Sequence, residues 1–192
     1  MNNFYSPPEL YYNRWLTPSL QQAVQDHPIV VLTGARQVGK STLLLNEEPF
    51  KNWRFHSLDD FDTLSQANTH PEALWAGTDR IILDEVQRAP GLLLAVKQAV
   101  DRHPGHYHFL LSGSANLLLM KQVSESLAGR AVYFVLDPMS LGEIRQVSPP
   151  ELITQLLAGV FPDDTEIPDA LPDADPILLR GLMPALLNMR SP

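Results

Sequence analysis

The sequence predicts an α/β fold in three layers, a five-stranded, mainly parallel sheet flanked by helices. Short apolar runs without polar alternation recur along the chain, as strands buried on both faces of a parallel sheet require. Helical stretches of about 10–15 residues separate most of them, the length of a crossover between parallel strands. A glycine-bounded loop follows the first run directly and opens a helix.

Each element has its own local reason. An amphipathic helix is expected from Trp15 to Asp26, with Thr17 as N-cap, Pro18 in the first turn and His27-Pro28 ending it. Ile29 to Leu32 is the first strand, and the helix after the loop begins near Lys40. Trp53 to Leu58 reads as a strand and Phe61 to Gln66 as a short helix. Arg80 to Leu83 is a strand followed by a helix from Gly91 to Arg102. Tyr107 to Leu111 is the next strand, Asn116 to Leu127 is helical, and Ala131 to Leu136 is the fifth strand.

The character of the chain changes after Arg145. Between Gln146 and Pro176 stand Glu151, Asp163, Asp164, Glu166, Asp169, Asp173 and Asp175, with no Lys or Arg and many prolines. That composition suits a linker or loop. Ile177 to Met189 is again helical, with an apolar face of Leu178, Leu179, Leu182, Leu186 and Leu187. The expected organisation is therefore a core over 1–145, an acidic linker over 146–176, and from 177 to 192 the helical start of a further C-terminal region.

Bulk properties bound the function. A chain of 192 residues, 44% apolar and 19% charged, suits one globular domain with a small appendage. The absence of cysteine excludes disulfides, thiolate metal sites and thiol nucleophiles. No signal-peptide pattern or membrane-length apolar run is present, so the expected location is the cytoplasm. The net charge of −8 gives no basic footprint for nucleic acid.

Residues 34–41 read G-A-R-Q-V-G-K-S, the pattern of a phosphate-binding P-loop. Gly34 and Gly39 let the backbone of Ala35, Arg36, Gln37 and Val38 curl so that N–H groups converge on phosphate oxygens. The helix N-terminus at Lys40, Ser41 and Thr42 adds its positive dipole end. Lys40 is expected on the β- and γ-phosphates and the Ser41 hydroxyl on Mg²⁺.

Residues 81–85, I-I-L-D-E, end an apolar strand in two carboxylates. Ligands of a parallel α/β sheet bind beyond the carboxyl ends of the strands. Asp84 is thus expected to hold Mg²⁺, directly or through water, and Glu85 to polarise the attacking water. A glutamate directly after that aspartate favours ATPases with an extra strand beside the P-loop strand. The guanine-reading N-K-x-D pattern is absent from the chain. ATP is therefore the expected nucleotide.

Ser112 and Ser114 close the fourth strand, and either hydroxyl suits a sensor of the γ-phosphate or its water, provided that this strand lies between those of the P-loop and Asp84. A helix cap is the other reading of Ser114. Arg130, before the fifth strand, fits an arginine finger in its own or a neighbouring subunit, and equally a solvated loop end. Arg88 suits a loop-positioning role. His106 and His108 share a face without further ligands and read as ordinary strand residues. Tyr11, Tyr12 and Trp15 suit either an adenine or packing of the first helix.

Together V-V-L-T-G-A-R-Q-V-G-K-S-T-L, I-I-L-D-E-V-Q-R-A-P, L-L-S-G-S-A-N-L-L-L and S-L-A-G-R-A-V-Y-F-V-L-D-P-M-S-L-G-E resemble a family of prokaryotic AAA+-like P-loop ATPases. The resemblance covers residues 14–145 and the stretch Ile177–Pro192. Ala35 departs from it where proline is frequent, and Leu182-Met183 where glycines are common. It implies nucleotide and metal chemistry for Lys40, Ser41, Asp84 and Glu85, and identifies Arg130 with the family's arginine. It further implies a C-terminal domain beyond this chain, so that the sequence reads as an ATPase domain cut short.

The expected activity is ATP hydrolysis that drives a conformational change, with that missing domain or a protein effector as partner and a homo-oligomer as one arrangement. A nucleotide switch with little turnover is the second reading. Coupling to nucleic-acid processing is the third, carried by analogy alone.

Overall fold

The computed structural model describes residues 11–114, 127–149 and 181–184. The expected helix over 116–127, the acidic segment from 150 to 176 and most of the final helix lie outside the described residues.

The five strands are β1 (Ile29–Thr33), β2 (Arg54–Ser57), β3 (Arg80–Asp84), β4 (His108–Ser112) and β5 (Ala131–Val135). They form one sheet in the order β2-β3-β4-β1-β5, and every pairing is parallel. The helices are α1 (Thr17–Asp26), α2 (Lys40–Asn46), α3 (Phe61–Thr69), α4 (Leu92–Arg102) and the single turn α5 (Leu141–Ile144). Short 3-10 turns at Phe50–Asn52, Pro71–Trp75 and Val86–Arg88 punctuate the connections.

The period of two along each strand sorts the core into two layers. Ile29, Val31, Ile81, Leu83, Phe109 and Leu111 pack with Trp75 and with Leu92, Leu93 and Val96 of α4. Val30, Leu32, Ile82 and Leu110 face the other way, against Leu20 and Val24 of α1 and Leu43 and Leu44 of α2. β1 is buried throughout, whereas the outer strands β2 and β5 are only partly covered.

Local expectations shift in informative ways. Thr17 is not an N-cap: Leu16 takes that place with helical backbone angles and no side-chain cap bond forms. The Thr17 N–H instead donates to the Arg14 carbonyl at 3.0 Å, and its hydroxyl is buried without a hydrogen-bond partner. Asp60 caps α3 with its carboxylate on the Thr63 N–H, and α3 runs on to Thr69. β3 and β4 each extend one residue further than their apolar runs, to Asp84 and Ser112.

The short described stretch near the C-terminus lies on the core. The Met139 N–H donates to the Leu182 carbonyl at 2.9 Å, and Met183 packs on the α1–α2 side of the sheet.

Candidate functional site

The carboxyl ends of β1, β3 and β4 bring the site together. Register pairs Leu32 with Ser112 and Leu83 with Leu111, so β4 lies between the P-loop strand and the Asp84 strand. Asp84 stands two residues after Ile82 and therefore shares its face, the one covered by α2.

The phosphate loop joins β1 to α2. A side chain at Gly34 is impossible as built, because its Cβ would fall 2.3 Å from the Leu136 carbonyl oxygen. Gln37 and Gly39 have positive φ, 66° and 95°. Such left-handed residues bend successive N–H groups toward a common point, the geometry of an anion nest. Val38 anchors the loop in the core, while Ala35, Arg36 and Gln37 are exposed.

Lys40 is only 6% exposed and its Nζ donates to the carbonyls of Gly34 at 3.1 Å and Ala35 at 2.8 Å. Burial holds its pKa below the ordinary lysine value; the nearby Glu85 and Asp84 oppose that shift and Arg36 adds to it. Ser41 Oγ donates to Asp84 Oδ2 at 2.7 Å. Asp84 is 1% exposed, and its other oxygen, Oδ1, has no hydrogen-bond partner. Ser112 Oγ is likewise buried and unpartnered.

Glu85 has a left-handed backbone with φ of 58°, an uncommon conformation for a non-glycine residue that recurs at functional sites. Gln87 Nε2 donates to Glu85 Oε2, and the amide oxygen of Gln87 is buried without a partner. Glu85, Gln87, Ala35, Arg36 and Ser114 line an open cavity of about 500 Å³ together with Arg88 and Asp59. Arg88 is ion-paired to Asp59. Ser112 and Ser114, alike in the sequence, thus differ: the first is enclosed and the second faces this cavity.

Arg130 is not brought to this site. It precedes β5 at the amino end of the sheet, where its Nε is 2.5 Å from Asp101 Oδ1 at the end of α4. A five-residue strand, about 17 Å long, separates the two edges. His106 meets Tyr107 edge-to-face with ring centroids 4.5 Å apart, and no cluster of three or more His, Asp or Glu side chains suited to a metal occurs among the described residues. Tyr11 donates to Glu47 at 2.8 Å, and the Trp15 Nε1–H to the Val147 carbonyl at 2.9 Å.

One pair of residues at the site was given no role by the sequence. Arg14 and Glu143 are each 6% exposed and form an ion pair of 3.1 Å behind the loop. Arg14 Nη1 also donates to the Val38 carbonyl at 2.8 Å and Nη2 to the Asp137 carbonyl at 2.6 Å. The only local hint is S-L-G-E at 140–143, a capping box in which Ser140 and Glu143 satisfy each other's N–H groups.

Comparison with known proteins adds the lineage. The model of a family described as an AAA domain matches residues 26–145. Two uncharacterized proteins, Mb2031c of Mycobacterium bovis and Rv2008c of Mycobacterium tuberculosis, are 34% identical over 127 residues, 65% of this chain. The chain spans only 28% of the length of each. Among solved structures, the Walker-type ATPase PABY2304 of Pyrococcus abyssi aligns over 78% of this chain and 63% of its own, at 18% identity and a TM-score of 0.48. Among the described residues, no helix is long and apolar enough to cross a membrane.

Proposed function

The chain belongs to the AAA domain family, and on that premise we propose that it binds Mg²⁺–ATP at the phosphate loop and hydrolyses it to ADP and phosphate. The observation that carries this reading is the meeting of Lys40, Ser41 and Asp84 at the N-terminus of α2, with a buried Asp84 oxygen left unpartnered.

These residues fit a magnesium ion. Mg²⁺ takes oxygen donors and keeps several waters, using one or two protein ligands with substrate phosphates. The Ser41 hydroxyl and the Asp84 carboxylate supply those donors, and the bound ion would neutralise phosphate charge.

The remaining work falls to side chains and backbone. The loop N–H groups and the positive end of α2 bind and orient the phosphates. Lys40 exchanges two backbone carbonyls for phosphate oxygens and brings its full charge to them. Glu85 accepts a proton from water as the water oxygen bonds to the γ-phosphorus and the bond to the ADP oxygen breaks. Ser112 or Ser114 orients that water or the γ-phosphate, and Ser114 is favoured for the water because it lines the same cavity as Glu85. Domain boundaries near 145 and 176, and an effector domain beyond 177, belong to the same proposal.

A second reading, a nucleotide switch with little turnover, draws on Arg130. Its guanidinium is engaged by Asp101 at the opposite edge, so a lone protomer presents no arginine from that position to the γ-phosphate. A neighbouring protomer in a homo-oligomer would then provide it.

Calorimetry of Mg²⁺–ATP binding to the native chain and to Lys40→Ala tests the central claim. Binding that vanishes in the variant is the expected result. A folded native chain that binds no nucleotide would overturn the assignment. A gain of about 2.7 kcal/mol in unfolding free energy at a hundredfold excess over Kd, without phosphate release, would select the switch reading.

A further inference from the structure

The buried pair behind the loop invites a specific role. We propose that Arg14 is a positioning residue for nucleotide binding: it fixes the Val38–Gly39 peptide of the phosphate loop, and Glu143 holds Arg14 in place. The inference rests on the proposed nucleotide site and deepens it.

Peptide planarity sets the geometry of the loop here. In a trans peptide the C=O and the following N–H point in opposite directions from one plane. Arg14 Nη1 draws the Val38 carbonyl toward itself at 2.8 Å. The Gly39 N–H is therefore aimed away from Arg14. Gly39 is the last loop residue before α2 and has a left-handed φ of 95°. A single side chain thereby sets the direction of a donor that the P-loop pattern assigns to phosphate.

Arg14 itself has little freedom. Nε bonds Glu143 Oε1, Nη1 bonds Val38 and Nη2 bonds the Asp137 carbonyl, so every nitrogen of the guanidinium is engaged. Glu143 is equally committed: Oε1 also accepts the Trp15 N–H at 2.8 Å, and Oε2 accepts the Ser140 N–H at 2.7 Å. A planar fork with fixed donors suits this task, and lysine could not satisfy three acceptors in one plane.

A purely structural ion pair would look similar, so the test must separate the two. Replacing both partners by methionine removes two buried charges together, although the Val38 and Asp137 carbonyls and the Trp15 and Ser140 N–H groups lose their partners as well. Arg14→Met with Glu143→Met is expected to melt below the native midpoint and, at temperatures where it stays folded, to bind Mg²⁺–ATP about tenfold or more weakly, measured by calorimetry. Native affinity in that folded double variant would overturn the proposal.

Should the double variant not fold, two single changes decide. Glu143→Gln keeps a side-chain oxygen that can accept from Arg14 Nε but loses the charge, and is expected to weaken affinity less than Arg14→Gln does. Arg14→Gln is expected to lose about tenfold or more. Equal losses would overturn the positioning role. A nucleotide-free arm keeps the inference separate from the ATPase reading. In ¹⁵N NMR without nucleotide, the Gly39 amide should shift and exchange faster in Arg14→Gln than in Glu143→Gln. An unmoved Gly39 amide would overturn the clamp even if ATP binds, whereas a native chain that ignores ATP would overturn only the proposed function.

Discussion

Lys40, Asp84 and Ser112 lie beyond or at the carboxyl ends of β1, β3 and β4, enclosed by protein, and Asp84 Oδ1 and Ser112 Oγ have no hydrogen-bond partner. At the amino ends of the same sheet, Arg130 and Asp101 face one another with more than a third of each side chain in water. Charged side chains of both signs thus meet opposite solvation at the two edges. Buried polar groups left unmatched cost stability, so a fold retains them where something else is served. Exposed ion pairs are screened and contribute little.

The contrast can be broken at four places, taken from the largest effect to the smallest. Glu85→Gln should lower ATP turnover roughly 10²–10⁴-fold while binding persists, as expected of a group that accepts a proton in the transition state. Single-turnover phosphate release and calorimetry on one preparation check both halves. Normal turnover would remove Glu85 from the mechanism.

Asp84→Asn should move binding and stability in opposite directions. Mg²⁺-dependent nucleotide affinity drops, while the nucleotide-free chain gains about 1 kcal/mol by losing a buried, half-satisfied carboxylate. Urea denaturation reads the second half. A destabilised variant would mean that Ser41 and Asp84 form a structural contact only.

The third place is Glu143. Burial pushes its carboxyl up, but the N–H donors of Ser140 and Trp15 and the Arg14 guanidinium outweigh it, and its pKa lies below the ordinary 4.5. A carboxyl lowered in the folded state contributes stability that is complete above 4.5 and lost as pH falls through the lower, folded value. Native melting midpoints should therefore decline with acid below about 4.5, and Glu143→Gln should flatten that decline. Lys40 has the opposite profile: its lowered pKa means a penalty that is relieved as pH rises toward 10.5.

Arg130→Ala should have the smallest effect on one protomer, leaving melting and nucleotide affinity unchanged within error. A loss of turnover that appears only at concentrations where protomers associate would show that the arginine serves a neighbour.

Much of this was legible in the sequence for reasons that are local. Apolar runs without alternation marked β1, β3 and β4, and the loop 34–41 announced itself through glycine spacing. Strand ends were missed by a residue because Asp84 and Ser112 are polar yet extended, burial there being set by their place in the central sheet and not by apolarity. The order of strands was not legible, since β4 enters between β1 and β3 only through packing. The start of α1 was misread because Arg14, not a Thr17 side chain, supplies the acceptor that closes the first turn. Arg14 and Glu143 lie 129 residues apart, and nothing in either neighbourhood points to the other.

The packing of residue 15 has an optical consequence. Of the three tryptophans, Trp53 and Trp75 are sealed in the two core layers. The Trp15 ring lies so close to Gly142 that a Cβ there would fall 2.2 Å from ring carbon Cζ2, and its N–H is tied to Val147. It is also the residue next to Arg14, in half-exposed surroundings where indole emission responds to small changes in polarity. The chain therefore carries its own fluorophore on the clamp behind the loop. With Trp53 and Trp75 replaced by phenylalanine, the colour of the remaining emission would follow that clamp in real time, with no label attached.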